Sequence, residues 1–262
     1  MEKEFFSPEP VIFSVTGGVR TLPAETMQNF KEGFASGADA ACINVQLSKD
    51  KELIVISAAD LEDVCGVSGP VSQFTSEELK KMDAGFMFRD ENGEFSFRGK
   101  GYSFMILKEL FDSFPDKKFN VTLMHKSDEL VKIYAETVKA CKAEKRVLTS
   151  SMYGKNMKLV KKLLPGSATS FSFPGIIGIY AMFRSGLIFF KKSFNSDALQ
   201  TPEAIGVSYI ANSGLIREMH KRGVRVHVWH IKDKQQYQRV VESGADGFMS
   251  DDIPMLKSFM GS

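Results

Sequence analysis

Cys42 and Asn44 lie two residues apart in the apolar run Ala41–Leu47, a spacing that turns both side chains to one face of a β-strand. That face offers a thiol and a neutral amide. The thiol is a weak nucleophile candidate, because no neighbouring feature lowers its pKa. Thr122 and Met124 share a face of a second run, Phe119–Met124, while Thr16 and Ser57 end two others. Two histidines stand just past strand ends, His125 beside Lys126 and His230 after Trp229. Such a pair has the chemistry for acid–base work if both reach one site. Two solvated loop histidines are the commoner explanation. His220, next to Lys221 and Arg222, reads as solvated. His227, inside an alternating strand, reads as a satisfied structural histidine. Trp229 is the only tryptophan, and reads as a pocket wall or as core. Gln200 reads as a donor to a polar ligand or as a pin for its own loop.

These residues need elements to hold them. Apolar strands alternate with amphipathic helices along the chain, which favours an α/β fold with a parallel sheet. The expected strands are Val11–Thr16, Ala41–Leu47, Leu53–Ser57, Phe119–Met124, Arg146–Ser150, Ala168–Phe171, Val224–Trp229 and Gly247–Ser250. Helices are expected over Glu25–Ser36, Ile106–Phe114, Asp128–Cys141, Tyr153–Leu164, Ser213–Arg222, Asp233–Ser243 and Ile253–Met260. That pattern predicts a TIM (β/α)8 barrel with its site at the strand C-termini. It carries an insertion after strand three, Ala58–Phe104, and an apolar excursion after strand six, within Pro174–Asn212. The length, 262 residues, suits a single barrel domain over residues 1–262.

Composition narrows the function classes. A formal charge of +2 with 25% charged residues is too balanced to imply a nucleic-acid partner. Three cysteines without metal-type spacing fit a reducing, cytoplasmic setting with no disulfide framework. The opening MEKEFFSPEPVIF, with early acidic residues, does not read as a signal peptide. Phe171–Phe190 is about long enough to span a bilayer, but Pro174 and Arg184 interrupt it. It reads as a buried segment of the barrel or as an apolar flap on a membrane surface, with Lys191 and Lys192 beside it to meet anionic lipid.

The closing segment Val224–Pro254, with Trp229 at a strand end, Gly244-Ala245-Asp246-Gly247 and Asp251, resembles the last unit of the glycerophosphodiester phosphodiesterase family. So does the opening. The family has His-Arg-Gly, five residues, then Pro-Glu-Asn-Thr; this chain has Val15-Thr16-Gly17, five residues, then Pro23-Ala24-Glu25-Thr26. Gly37-Ala38-Asp39 through Ser48-Lys49-Asp50 follows the family's second strand, Ser57-Ala58-Ala59-Asp60 its third and Asn120-Val121-Thr122-Leu123-Met124 its fourth. The resemblance implies a TIM barrel that hydrolyses phosphodiesters with a divalent cation, two histidines, an arginine and a lysine.

At those positions this chain carries other residues. The histidine positions are Val15 and Ser57, the arginine is Thr16 and the lysine is Met124. The metal carboxylates become Cys42, Asn44 and Thr122, and the glutamate of the opening motif becomes Ala24. The resemblance therefore implies no divalent cation cofactor and no conventional activity. What it leaves is a pocket of Thr16, Asn44, Ser57, Thr122, Gln200, Trp229 and His230. The expected role is a pseudoenzyme that binds a glycerophosphodiester-like, lipid-derived or phosphate-bearing small molecule, or a partner. The alternatives are a rewired phosphoric diester hydrolase of lipid metabolism and a scaffold peripheral to a membrane through Phe171–Phe190.

Overall fold

The computed structural model describes residues 3–206 and 208–261. Its strands are β1 (Val11–Val15), β2 (Ala40–Leu47), β3 (Leu53–Val55), β4 (Lys118–Leu123), β5 (Val147–Ser150), β6 (Ala168–Thr169), β7 (Ala198–Pro202), β8 (Ala204–Ile205), β9 (Ser208–Tyr209), β10 (Arg225–Trp229) and β11 (Gly247–Ser250). Its α-helices are α1 (Met27–Ala35), α2 (Glu62–Cys65), α3 (Ser76–Lys80), α4 (Leu107–Ser113), α5 (Asp128–Ala140), α6 (Gly154–Leu163), α7 (Phe173–Arg184), α8 (Ser213–His220), α9 (Lys234–Glu242) and α10 (Ile253–Met260). Polar side chains start many of them. Thr26, Ser127, Asn212, Asp233 and Asp252 each accept a backbone N–H from the first turn of their helix, satisfying donors that the helix itself leaves free.

Eight strands run parallel in the order β6-β5-β4-β2-β1-β11-β10-β7, and a parallel bridge between Ser170 and Ala198 joins the two ends. The fold is the TIM barrel that the alternation predicted. Its staves differ in one place. Leu53–Val55 pairs antiparallel with β2, with Leu47 opposite Leu53, and so lies outside the parallel ring. The link between them is far too short for the crossover that a parallel neighbour needs. The eighth stave is instead β7, whose Ala-Leu-Gln-Thr-Pro composition is not β-rich and gives little strand signal.

Two apolar layers result. Outward residues such as Ile12, Ile43, Val121 and Phe248 pack under the helices. Inward residues Val11, Phe13, Ala40, Leu148, Ala168, Ala198 and Met249 fill the barrel, and Phe5 and Phe6 plug its N-terminal end. At that end three aspartates, each one residue before a strand, accept a backbone N–H from the adjacent stave. Asp39 takes Ile12 N at 2.8 Å, Asp197 takes Thr169 N at 2.8 Å and Asp246 takes Val226 N at 2.7 Å. Two of them close the Gly-Ala-Asp repeats at Gly37 and Gly244, so Asp246 organises strand register.

The apolar excursion is the barrel helix that follows β6. Ile179 and Ile188 are buried against Leu199, Leu215 and Val226. Arg222, past the end of α8, donates to the backbone oxygens of Ile188 and Lys191 at 2.6 and 2.7 Å. The segment therefore begins near the strand C-termini with Phe173 and descends the outside of the barrel, so that Phe189 and Phe190 lie toward the opposite end. It does not fold over the mouth. Among the described residues no helix is long and apolar enough to cross a membrane.

Candidate functional site at the barrel mouth

The loop from β1 to α1 forms one wall of the mouth. Thr16, Gly17, Gly18 and Glu25 all have positive φ, at 53°, 115°, 89° and 56°. Left-handed backbone is uncommon for residues with a Cβ, and for glutamate it needs surroundings that enforce it. Asn29 supplies them. Its side chain receives Val19 N and donates to the oxygens of Val19, Leu22 and Pro23. A Cβ at Gly17 would sit 2.4 Å from the Asn29 Cγ, and one at Gly33 would sit 1.8 Å from the Gly17 oxygen, so both positions need glycine.

This loop delivers Glu25 into the protein. Its backbone N–H donates to Thr16 O at 2.8 Å, and the side chain is buried. Ser57 donates to Oε2 twice, from its backbone N at 2.7 Å and from its Oγ at 2.9 Å. Oε1 is sealed from solvent, and Asn44 lies within reach of the carboxyl. Burial raises the carboxyl above its ordinary value, against the opposing effect of Ser57 and Asn44, which favour the charged form. Sequence reasoning passed over Glu25, because it stands one position beyond the glutamate of the opening motif.

The strand register sets the rest. Val15 is opposite Cys42, Cys42 opposite Asn120, Asn44 opposite Thr122 and Thr122 opposite Ser150. Partners in a parallel register share a face of the sheet. Asn120 Nδ2 donates to Cys42 Sγ at 3.4 Å, and the Thr122 and Ser150 hydroxyls are 2.8 Å apart. Cys42, Asn44 and Thr122 thus face one another across the interior, as the register of the sequence requires. With Val15, Ser57, Met124 and Ser150 they are only half-buried, so water reaches the cup between them. Burial pushes the Cys42 thiol up to about 12, which keeps it protonated and unreactive.

Gln200 and His227 are opposite each other in register and buried below this rim. Gln200 Nε2, Asn120 Oδ1 and both His227 ring nitrogens lack partners. His227 is therefore structural but not satisfied. It is held between Phe6 and Phe13, at 5.7 and 4.8 Å between ring centroids, and burial lowers it to about 4. Trp229 ends β10 with 37% of its surface exposed, which fits a wall of the cup better than core. His230 is half-buried and lowered by that burial. His125 is exposed and bonds through Nε2 to Gln46 Oε1 at 2.9 Å. His125 follows β4 and His230 follows β10, four staves apart in either direction round the ring. They stand on opposite sides of the ring and form no contact pair. His220 is no free solvated group, since its Nε2 bonds Asp246 Oδ2 at 2.7 Å.

Residues 17–255 match the model of the glycerophosphoryl diester phosphodiesterase family. The chain belongs to that family. It is 28% identical over 252 residues to a glycerophosphodiester phosphodiesterase of Caldanaerobacter subterraneus subsp. tengcongensis, covering 94% of this chain and 96% of the other. It is 25% identical to the lysophospholipase D GDPD1 of Mus musculus, covering 94% and 84%. Among solved structures it resembles the glycerophosphoryl diester phosphodiesterase domain of an uncharacterized Mycobacterium tuberculosis protein, with a TM-score of 0.86, 17% identity and coverage of 96% and 99%. It also resembles an Oleispira antarctica phosphodiesterase in complex with the product sn-glycerol-3-phosphate, with a TM-score of 0.77, 18% identity and coverage of 98% and 99%.

A glycerophosphoryl diester phosphodiesterase barrel that used a divalent cation would need hard oxygen donors at its mouth. Here the inward donors are a protonated thiol, an amide and a hydroxyl, with one carboxyl whose Oε2 is already engaged by Ser57. Among the described residues no group of three or more His, Cys, Asp or Glu side chains is placed to hold a metal. The donor set does not fit a calcium or magnesium ion.

Proposed function

We propose that this family member is a pseudoenzyme whose mouth binds a lipid-derived small molecule instead of hydrolysing a phosphodiester. One observation supports the reading above the others. The inward residues of the cup, Val15, Cys42, Asn44, Thr122 and Ser150, are uncharged, and the one carboxyl beside them, Glu25, is buried and bonded to Ser57. A phosphodiester transition state gathers negative charge that cations or a metal must stabilise, and general acid–base groups add about 10²–10⁴-fold. The inward face of this cup carries no cation, and its one carboxyl is engaged by Ser57. The assay is release of glycerol 3-phosphate from glycerophosphodiesters with added calcium or magnesium. The expected result is no turnover above background and no micromolar metal binding by calorimetry. Turnover at about 1 s⁻¹ or more, abolished by His125→Ala or His230→Ala, would establish the rewired hydrolase.

A second reading has its own support. Phe173, Ile177, Leu187, Phe189 and Phe190 are exposed on the α7 segment, Phe190 at 84%, and Lys191 and Lys192 follow. An apolar patch of this kind with adjacent basic residues suits reversible attachment to an anionic membrane surface. Co-sedimentation with anionic liposomes is expected for the wild type and lost in a Phe189→Asp, Phe190→Asp double variant. Equal and near-zero binding by both removes this reading.

A further inference from the structure

The rim of the mouth is divided in two. In the ring, β5, β6, β7 and β10 are four consecutive staves, since the bridge from Ser170 to Ala198 joins β6 to β7. Each carries an exposed apolar side chain at or just past its C-terminal end. Met152 and Tyr153 follow β5, Phe173 follows β6, Ile205 and Tyr209 follow β7, and Trp229 ends β10. Ile205 is 66% exposed and Met152 60%, so the fold itself gains little from them. The other four staves lead into polar residues: His125 and Lys126 after β4, Lys49 and Asp50 after β2, Arg20 after β1 and Asp251 after β11. Singly exposed apolar side chains need no explanation, but a contiguous set along one half of an opening marks a contact surface.

Two further observations bear on what meets this crescent. Ile205 and Tyr209 sit on the hairpin of β8 and β9, where Ala204 is opposite Tyr209. Its base is fastened: Glu203 O receives Ile210 N at 2.8 Å and Ala211 N at 3.1 Å, and the Glu203 carboxylate bridges Arg239 at 2.7 Å. The hairpin is thus held with its apolar side chains in water. The second observation is charge. The segments 151–153, 170–178, 203–209 and 229–231 together carry one formal charge, Glu203, which Arg239 neutralises. Without basic residues the crescent has no electrostatic pull toward an anionic surface. Its side chains come from separate turns at one end of the barrel, so that a flat apolar layer meets them together. Tyrosine and tryptophan, apolar in body and polar at one end, suit the boundary between lipid and water.

We propose that this half of the rim docks on an electrically neutral, zwitterionic lipid surface, with the mouth turned toward the lipid. The α7 segment shares only Phe173 with the crescent. It carries Phe189 and Phe190 toward the opposite end, where Lys191 and Lys192 favour anionic lipid. A molecule attached by the crescent stands mouth-down, whereas one attached by Phe189 and Phe190 does not. The docking requires nothing of what the cup holds or whether it hydrolyses, so its failure leaves the non-hydrolytic reading untouched.

Trp229 is the only tryptophan of the chain and stands in the crescent, so its fluorescence reports the contact directly. The full chain is titrated with phosphatidylcholine vesicles, with vesicles containing phosphatidylserine, and with phosphatidylcholine brominated on its acyl chains. The expected result is a blue shift of Trp229 emission on plain phosphatidylcholine, quenching by the brominated lipid, and binding that added salt does not weaken. An Ile205→Asp, Tyr209→Asp double variant should partition at least about tenfold more weakly, while Phe189→Asp, Phe190→Asp should stay within about threefold of wild type. Thermal melts establish that both variants fold. If the hairpin variant fails to fold, quenching of wild-type Trp229 by brominated lipid decides alone. Binding only to phosphatidylserine vesicles, with Trp229 emission unchanged and loss in the Phe189→Asp, Phe190→Asp variant, overturns the proposal and assigns attachment to the far end of α7. No binding to any vesicle overturns both. A dimer in solution that the hairpin variant dissociates, without vesicle binding, assigns the crescent to a second copy of the chain and likewise overturns the proposal.

Discussion

The two ends of the barrel are built on opposite principles. At the N-terminal end charges are present and paired. Arg225 bridges Glu9 at 2.8 Å and Asp246 at 3.2 Å, and Asp246 also receives His220 and the Val226 N–H. Phe5, Phe6 and Phe13 fill the interior above this network. At the C-terminal end the inward side chains are neutral and half-open. Paired charges at one end and half-open neutral groups at the other separate the part that holds the fold from the part open to water.

The largest effect should come from the paired end. Asp246→Ala removes the partner of Arg225 and His220 and the acceptor for Val226 N, and should cost roughly 3 kcal/mol in denaturant unfolding. Asn44→Ala, at the open end, should cost under about 1 kcal/mol. Equal losses would erase the distinction between the ends.

The pH dependence of stability sharpens it further, because two buried groups act with opposite sign. The folded chain holds the Glu25 proton more tightly than the unfolded chain does. Its contribution is therefore full below the ordinary carboxyl value and is lost as pH rises through the raised one. Glu25→Gln should flatten that fall in melts followed upward from the ordinary carboxyl range. His227 is lowered from 6.5 to about 4. Its contribution is full above the ordinary imidazole value and is lost as pH falls from 6.5 toward about 4. His227→Leu should flatten this acid limb. It should change stability at neutral pH by about 1 kcal/mol or less, because two unpartnered nitrogens leave the core while an apolar side chain of similar volume enters. A steeper acid limb in that variant would mean that His227 has a partner.

The paired end was the more legible in sequence. Gly37-Ala38-Asp39 and Gly244-Ala245-Asp246 announce strand starts, and the spacing from Gly17 to Thr26 announces the first loop. The register that turns Cys42, Asn44 and Thr122 to one face followed directly. Other features were hidden for physical reasons. Leu53–Val55 has strong β composition, yet its turn forces a hairpin. Ala198–Pro202 has weak composition, yet its neighbours recruit it as a stave. Glu25 depends on a backbone conformation that no residue pattern encodes, and the unmet bonding of His227 depends on which rings surround it. The apolar run Phe171–Phe190 left a buried segment and a membrane-surface flap both open, because hydrophobicity alone does not say which way a helix descends.

The aspartate clips have a consequence for how such a molecule could be re-engineered. Each fastens one stave to the next from below, at a point remote from the rim. The alignment of the ring is then set independently of whatever occupies the loops above. Whole rim segments could be exchanged, and new recognition grafted there, while the chassis keeps its alignment.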